Sequence, residues 1–216
     1  MSNIKAVIFD LDGTLIDTEK YYRAAWPAAA KHFGYDMSDE QSLLLRSLGQ
    51  PFAPAQFKEW FGPDCNYEEI KNYRKKLMND ILEKNGIELK PGAMEILNYL
   101  KSNGFLTAMA TANPYNRTVK YLKQLELYDY FDKIICATMV KEGKPSPDVY
   151  DYSCKELNLS PDECIAVEDS PNGVLSAYRA GCKVIMIPDQ SQPDEKLSRC
   201  LYAKCDTLSD IKNYLI

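Results

Sequence analysis

Two hydrophobic periodicities divide the chain. Ala6, Val7, Ile8 and Phe9 are apolar without interruption, the pattern of a strand buried on both faces. From Thr18 the spacing becomes helical, with Tyr21, Tyr22, Ala25, Trp26, Ala29 and Phe33 on one stripe that ends near Gly34. Thr18 stands where it could cap that helix. Ser38 opens a second helix over 39–47, ending near Gly49; a third covers 54–60, and a fourth runs over 67–84 to stop at Asn85 and Gly86. No strand pattern separates these four, so residues 16–88 are expected to form a helical unit of their own.

From Lys90, Pro91 and Gly92 onward the pattern alternates. Helices are predicted over 93–102, 114–124, 147–157 and 171–180 and from Ser209, and strands over 105–110, 133–137, 164–167 and 183–187, with a short one at 202–204. Such βαβ alternation specifies a parallel sheet covered by helices on both faces. With the first strand over 4–10, the expected fold is α/β. A doubly wound, Rossmann-like core of residues 1–15 and 89–216 carries an all-helical cap, 16–88, inserted after its first strand.

Composition narrows the class. The 216 residues are 45% hydrophobic and 26% charged, the balance of a soluble globular protein. No apolar run approaches the roughly 20 residues that cross a bilayer. Residues 1–5 lead into the first strand without a signal-peptide core, so a cytoplasmic location and no membrane partner are expected. A net charge of −5 argues against nucleic acid as a partner. A small anionic substrate would instead need positive charge supplied locally. The seven cysteines form no CxxC or Cys/His pattern and read as reduced thiols, mostly in the core. The single histidine, His32, lies in a polar-flanked helical stretch and is expected to pack on the cap surface rather than to catalyse. The sequence carries no sign of the oligomeric state.

In open parallel sheets ligands bind beyond the carboxyl ends of the strands, so what each strand ends in matters. The first runs into Asp10-Leu11-Asp12-Gly13-Thr14; side chains two apart in an extended segment face the same side roughly 7 Å apart. The strand at 105–110 ends in Thr111, Ala112, Asn113 and Pro114. Asn113 is placed to cap the next helix, leaving a hydroxyl and helix-terminal amides facing the crevice, suited to phosphate. After the next strand Lys144 sits between Gly143 and Pro145 in Gly-Lys-Pro-Ser-Pro-Asp, held by a backbone that the prolines stiffen. The strand at 164–167 ends in Glu168 and Asp169. Adjacent buried carboxylates are costly unless a cation neutralises them, and four of them converging, Asp10, Asp12, Glu168 and Asp169, call for a hard divalent ion such as Mg2+.

These residues together resemble the four sequential motifs of the haloacid dehalogenase superfamily, with Asp10 to Thr14 similar to its DxDGT signature. The helical cap between the first two motifs is similar to the group that includes beta-phosphoglucomutase and phosphoglycolate phosphatase. The resemblance implies Mg2+-dependent hydrolysis of a small phosphorylated metabolite through an aspartyl-phosphate. It implies Asp10 as nucleophile and metal ligand, Asp12 as general acid and base with its carbonyl on the metal, and Glu168 and Asp169 as further ligands. Asp169 is the stronger candidate, since Glu168 ligates only if the chain turns there. It further implies that Thr111 and the amides of Ala112 and Asn113 hold phosphoryl oxygens, with Lys144 between the phosphate and Asp10. Tyr22, Arg23, Trp26, Arg46 and Gln50 are generic candidates for contacts from the cap.

A beta-phosphoglucomutase-type phosphomutase and a non-catalytic phosphate-binding protein are the competing readings. A mutase needs a cationic phosphate site in its cap. In beta-phosphoglucomutases a cap arginine supplies it and a histidine follows the hinge; here those places hold Gln50 and Tyr22, with Arg46 four residues earlier. The expectation is therefore hydrolysis without isomerisation. A retired binding protein would lack one of the reacting groups, and all are present.

Overall fold

The computed structural model describes residues 3–215. After β1 (Ala6–Phe9) come four helices, α1 (Glu19–His32), α2 (Asp39–Leu44), α3 (Phe52–Phe61) and α4 (Tyr67–Asn85). The chain then alternates through α5 (Ala93–Ser102), β2 (Leu106–Thr111), α6 (Tyr115–Gln124), β3 (Lys133–Cys136), α7 (Asp148–Leu157), β4 (Cys164–Glu168), α8 (Pro171–Arg179), β5 (Lys183–Met186), a one-turn α9 (Glu195–Ser198) and β6 (Ala203–Lys204). All pairings are parallel and the strand order is β3-β2-β1-β4-β5-β6. This is the α/β Rossmann-like sheet that the alternation predicted. Order reverses at β1, which pairs with both β2 and β4; such a switch point leaves a crevice at the carboxyl ends of the strands.

All four residues of β1 are fully buried. Val7 and Phe9 join the apolar cluster that extends into α1, α4 and α5, while Ala6 and Ile8 pack with α7 and α8 on the other face, as the period of two requires. Leu15, Ile16 and Asp17 run beside Glu88, Leu89 and Lys90 as two short antiparallel connections, with the Asp17 amide on the Glu88 carbonyl and the Lys90 amide on that of Leu15. Phe57, with no exposed surface, centres the helical segment, its ring 4.9 Å from Tyr67 and 5.4 Å from Trp26. His32 is exposed, stacked on Tyr73 at 3.9 Å.

Several elements differ from expectation. α2 stops at Leu44 instead of 47, and Ser47 takes a left-handed conformation (φ 54°), which lifts Arg46 off the helix into a loop. The segment from Ser209 is a 3-10 helix, Leu208–Tyr214, rather than an α-helix. Leu208, Ile211 and Tyr214 recur every third residue and so line one face of a helix with three residues per turn. α9 is additional, capped by Asp194 on the Leu197 amide. Thr18 occupies the cap position of α1 without capping, because its hydroxyl donates elsewhere, and Asn113 does not cap α6, which begins after Pro114. The seven cysteines are free and six are buried. Among the described residues no helix is long and apolar enough to cross a membrane.

Phe57→Ala should cost about 3–5 kcal/mol, since a large ring leaves a cavity that its aromatic neighbours cannot close. Urea unfolding of the variant beside the parent protein measures it.

Candidate active site

Asp10 leaves the strand ladder one residue after β1, its amide still bonded to the Val167 carbonyl at 3.0 Å. Its carboxylate is buried, and Oδ1 accepts from the Lys144 ammonium at 2.5 Å. Lys144, only 1% exposed, also donates to Glu168 Oε1 at 2.6 Å, and the Tyr150 hydroxyl from α7 donates to that same oxygen at 2.6 Å. Asp12 faces the cavity half-buried, one oxygen accepting from the Thr18 hydroxyl at 2.5 Å and the other from the Asn113 side-chain amide. Thr18 and Asn113 thus hold Asp12 instead of capping helices. Thr111 ends β2, and its hydroxyl oxygen accepts from the Asn113 backbone amide at 3.2 Å. That turns one of the two amides expected to face a phosphate back onto Thr111, with the hydroxyl proton left to donate.

Negative charge is in surplus here. Asp10, Glu168 and Asp169 each bring a carboxylate oxygen to within 4.8 Å of the others. Burial pushes the Asp10 carboxyl well above the usual range, more than Lys144 pulls it down, with Glu168 and Asp169 pushing the same way. Asp169 is pushed up to about 8 by burial and then by Glu168, against the pull of Arg46. Burial depresses the Lys144 ammonium, but Asp10 and Glu168 outweigh it and raise it above its ordinary value. One ammonium serves the Asp10 and Glu168 carboxylates together, and Asp10 Oδ2 is buried without a hydrogen-bond partner. An orphaned carboxylate oxygen inside an acidic cluster fits a hard cation. Gly13 makes room for the cluster: at φ 81°, a Cβ there would lie 2.5 Å from Asp169 Oδ2.

The same cavity, about 410 Å³, is lined by Asp10, Asp12 and Thr111 from the sheet and by Tyr22, Trp26 and Arg46 from the helical segment. Arg46 reaches Asp169 at 3.4 Å and also bonds Ser191. The Asn172 side-chain amide holds the Leu44 and Arg46 carbonyls at 3.0 and 2.9 Å. Two glycines then touch. Gly49 donates to the Lys144 carbonyl at 2.8 Å and Gly143 to that of Gln50 at 2.6 Å, so closely that a Cβ on Gly143 would lie 2.7 Å from the Gly49 Cα.

The profile of the haloacid dehalogenase-like hydrolases matches residues 7–187. The chain belongs to that family. Hexitol phosphatase A of Escherichia coli is 32% identical over 185 residues, which cover 85% of this chain and 82% of the relative. Beta-phosphoglucomutase of Bacillus subtilis is 27% identical over 196 residues, covering 88% and 85%. The crystal structure of CbbY from Rhodobacter sphaeroides in complex with xylulose-(1,5)bisphosphate superposes with a TM-score of 0.80 at 26% identity, covering 96% of each chain.

In this hydrolase the residues singled out from sequence fall into two groups. Asp10, Asp12, Thr111, Ala112, Asn113, Tyr22, Arg46 and Gln50 line the cavity, with Lys144, Glu168 and Asp169 buried around Asp10. The Gln50 side chain, however, donates to Glu68, and Arg23 is paired with Asp39. Beyond Arg23 and Arg46, which the sequence singled out, Arg74 and Lys75 of α4 and Arg117 of α6 also bring positive charge to the cavity. Sequence reasoning also missed Tyr150 and Glu19, a buried cavity carboxyl raised well above its usual range by burial and by Asp169 and Asp12. Arg74 did carry a signal. It stands at helical spacing among the buried residues Tyr67, Ile70, Met78 and Leu82.

Gly143→Ala should unseat the 44–50 loop while leaving the sheet folded. Hydrogen exchange should accelerate in that loop with little change in β1 and β4; equal protection in variant and parent would show that the glycine contact does not hold the loop.

Proposed function

We propose that this hydrolase is a phosphatase cleaving a small phosphate monoester of sugar-phosphate type in the cytoplasm. Residues 16–88 act as a cap over a core of 1–15 and 89–216. The observation that carries the reading is the buried Lys144–Asp10 contact, set two residues from a carboxylate that Thr18 and Asn113 hold in place. The phosphatases among its relatives and a cavity of small-molecule size support it. A net charge of −5 supports a metabolite over nucleic acid as partner.

Asp10 attacks phosphorus through a carboxylate oxygen and the ester oxygen departs, giving an aspartyl-phosphate. Asp12 gives that oxygen its proton and then takes one from the water that attacks the acyl phosphate, which returns Asp10 and releases inorganic phosphate. Lys144 stays charged between its carboxylates and offsets charge on the transferring oxygens, while the Thr111 hydroxyl and the Ala112 amide hold them. Asp10, Asp169 and the Asp12 carbonyl would hold Mg2+, with Glu168, already occupied by Lys144 and Tyr150, nearby. Bound there, the ion would neutralise the acidic cluster and the phosphate. The cap closes over the site and excludes water.

A phosphomutase is the second reading, favoured by the cationic residues on the cap side of the cavity. Supplying beta-glucose 1-phosphate with catalytic beta-glucose 1,6-bisphosphate separates the two. Free phosphate without glucose 6-phosphate supports the hydrolase, and rapid glucose 6-phosphate without phosphate release supports the mutase. With p-nitrophenyl phosphate, turnover is expected with magnesium and not after EDTA. Asp10→Asn should lower turnover by a factor on the order of 10³ or more, since an amide is no nucleophile, without lowering the melting temperature. Substantial turnover by the variant would remove Asp10 from its role.

A further inference from the structure

Three thiols from three separate segments meet in the apolar layer between the sheet and helices α7 and α8. Cys154 on α7 is 2% exposed, Cys164 at the start of β4 is fully buried, and Cys182, in the turn from α8 into β5, is 7% exposed. The Sγ atoms of Cys154 and Cys182 lie 3.7 Å apart, in van der Waals contact. The thiols of Cys136, Cys164 and Cys200 instead point at oxygen: the Thr118 hydroxyl and the carbonyls of Ser160 and Lys196. Free cysteine packs as a small apolar group. That accounts for the burial of each thiol, but not for two reactive atoms turned to face each other from distant parts of the chain.

The pair is placed to react. A disulfide holds its sulfurs at about 2.05 Å, so closing this contact brings them together by roughly 1.6 Å. Cys182 follows Gly181, which is exposed in the turn and gives a small oxidant a short way in. The neighbouring thiols of Cys164 and Cys182 hold Cys154 below the ordinary thiol range, and the thiolate is the form that attacks.

The pair is also connected to the active site. Cys154 lies one turn after Tyr150 on the same face of α7. The Tyr150 hydroxyl donates to Glu168 Oε1, the oxygen that Lys144 also holds. Helix α8 meets the same carboxylate from its own side, where a Cβ on Gly173 would lie 2.0 Å from Glu168 Oε2. A bond from Cys154 to Cys182 would thus join the two helical elements that pack on Glu168. A close-packed interior passes such a shift on to its neighbours.

We infer that Cys154 and Cys182 are a modification site for a hydroperoxide, which joins them in an intramolecular disulfide and lowers turnover by moving Tyr150 off Glu168. The Cys154 thiolate attacks one peroxide oxygen, the O–O bond breaks, and the other oxygen leaves as water or alcohol with a proton, giving a sulfenic acid. Cys182 sulfur then attacks the sulfenic sulfur. The S–S bond forms, the S–O bond breaks, and hydroxide leaves as water with the Cys182 proton. Two thiols lose two electrons and one peroxide gains them. The effect on turnover rests on the reading that Lys144 and Asp10 carry the reaction.

The test exposes the magnesium-loaded protein to hydrogen peroxide. Thiols titrated after denaturation should fall from seven to five, and peptide mapping without reductant should show the fragments holding Cys154 and Cys182 joined. Turnover of p-nitrophenyl phosphate should fall by about tenfold or more, because a displacement on the order of 1 Å around a reacting centre costs that much, and dithiothreitol should restore it. Cys182→Ser should lose neither thiols to a crosslink nor activity to peroxide. If that variant does not fold, Cys154→Ala serves in its place with the same expectation. Seven thiols after peroxide, or oxidation confined to the more exposed Cys200, overturns the site. A Cys154–Cys182 disulfide that leaves turnover unchanged overturns the switch and leaves the hydrolase reading intact. The joined fragments in a protein that, reduced, turns over no phosphate ester uphold the modification site and remove the hydrolase reading.

Discussion

A single buried ammonium organises the catalytic end of this molecule. Taking a lysine out of water costs several kcal/mol unless its charge and its donors are met. Lys144 is met by Asp10 at 2.5 Å and Glu168 at 2.6 Å, which ties the end of β1 to the end of β4 and to the loop before α7. Tyr150 braces the same Glu168 oxygen from α7. Asp10 Oδ1 and Glu168 are occupied by this arrangement, and the one atom it leaves over is Asp10 Oδ2. The surplus of negative charge that makes the cluster suited to a cation therefore follows from how the lysine is held.

Much of the sheet was legible because a parallel strand buried on both faces has to be uninterrupted in its apolar character, and residues 6–9, 164–167 and 183–187 are close to that. Asp10, Asp12, Thr111, Lys144 and Asp169 were legible since they follow strands, where a doubly wound sheet opens its crevice. What the pattern could not carry is whose hydroxyl meets whose carboxylate. Thr18 and Asn113 were read as caps from the general preference of such residues for helix ends; a nearby carboxylate, Asp12, competes for the same donors and takes them. Arg74 escaped notice because an arginine in an otherwise apolar stripe is usually snorkelling to solvent, and only tertiary structure shows it closed under the cap beside two aromatic rings.

Cap and core meet through backbone as much as side chains. The approach of Gly49 to Gly143 puts a loop of the helical unit directly on the segment that carries Lys144. Arg46 and Asn172 fasten the same loop at Asp169 and α8. Seating of the helical unit is in this way registered at the two residues, Lys144 and Asp169, on which the charge balance of the site turns.

The position of β1 in the sheet also bears on how the chain is made. β1 is synthesised first, yet its neighbours are residues 106–109 on one side and 164–167 on the other. At ribosomal rates of about 5–20 residues per second, a strand of four apolar residues waits roughly ten to thirty seconds for its second partner. The helices of 19–85, whose packing is short-range in sequence, emerge in that interval and can condense around Phe57 before the sheet exists. The insertion that covers the site in the finished enzyme thus also occupies the nascent chain while its central strand is an open, aggregation-prone edge.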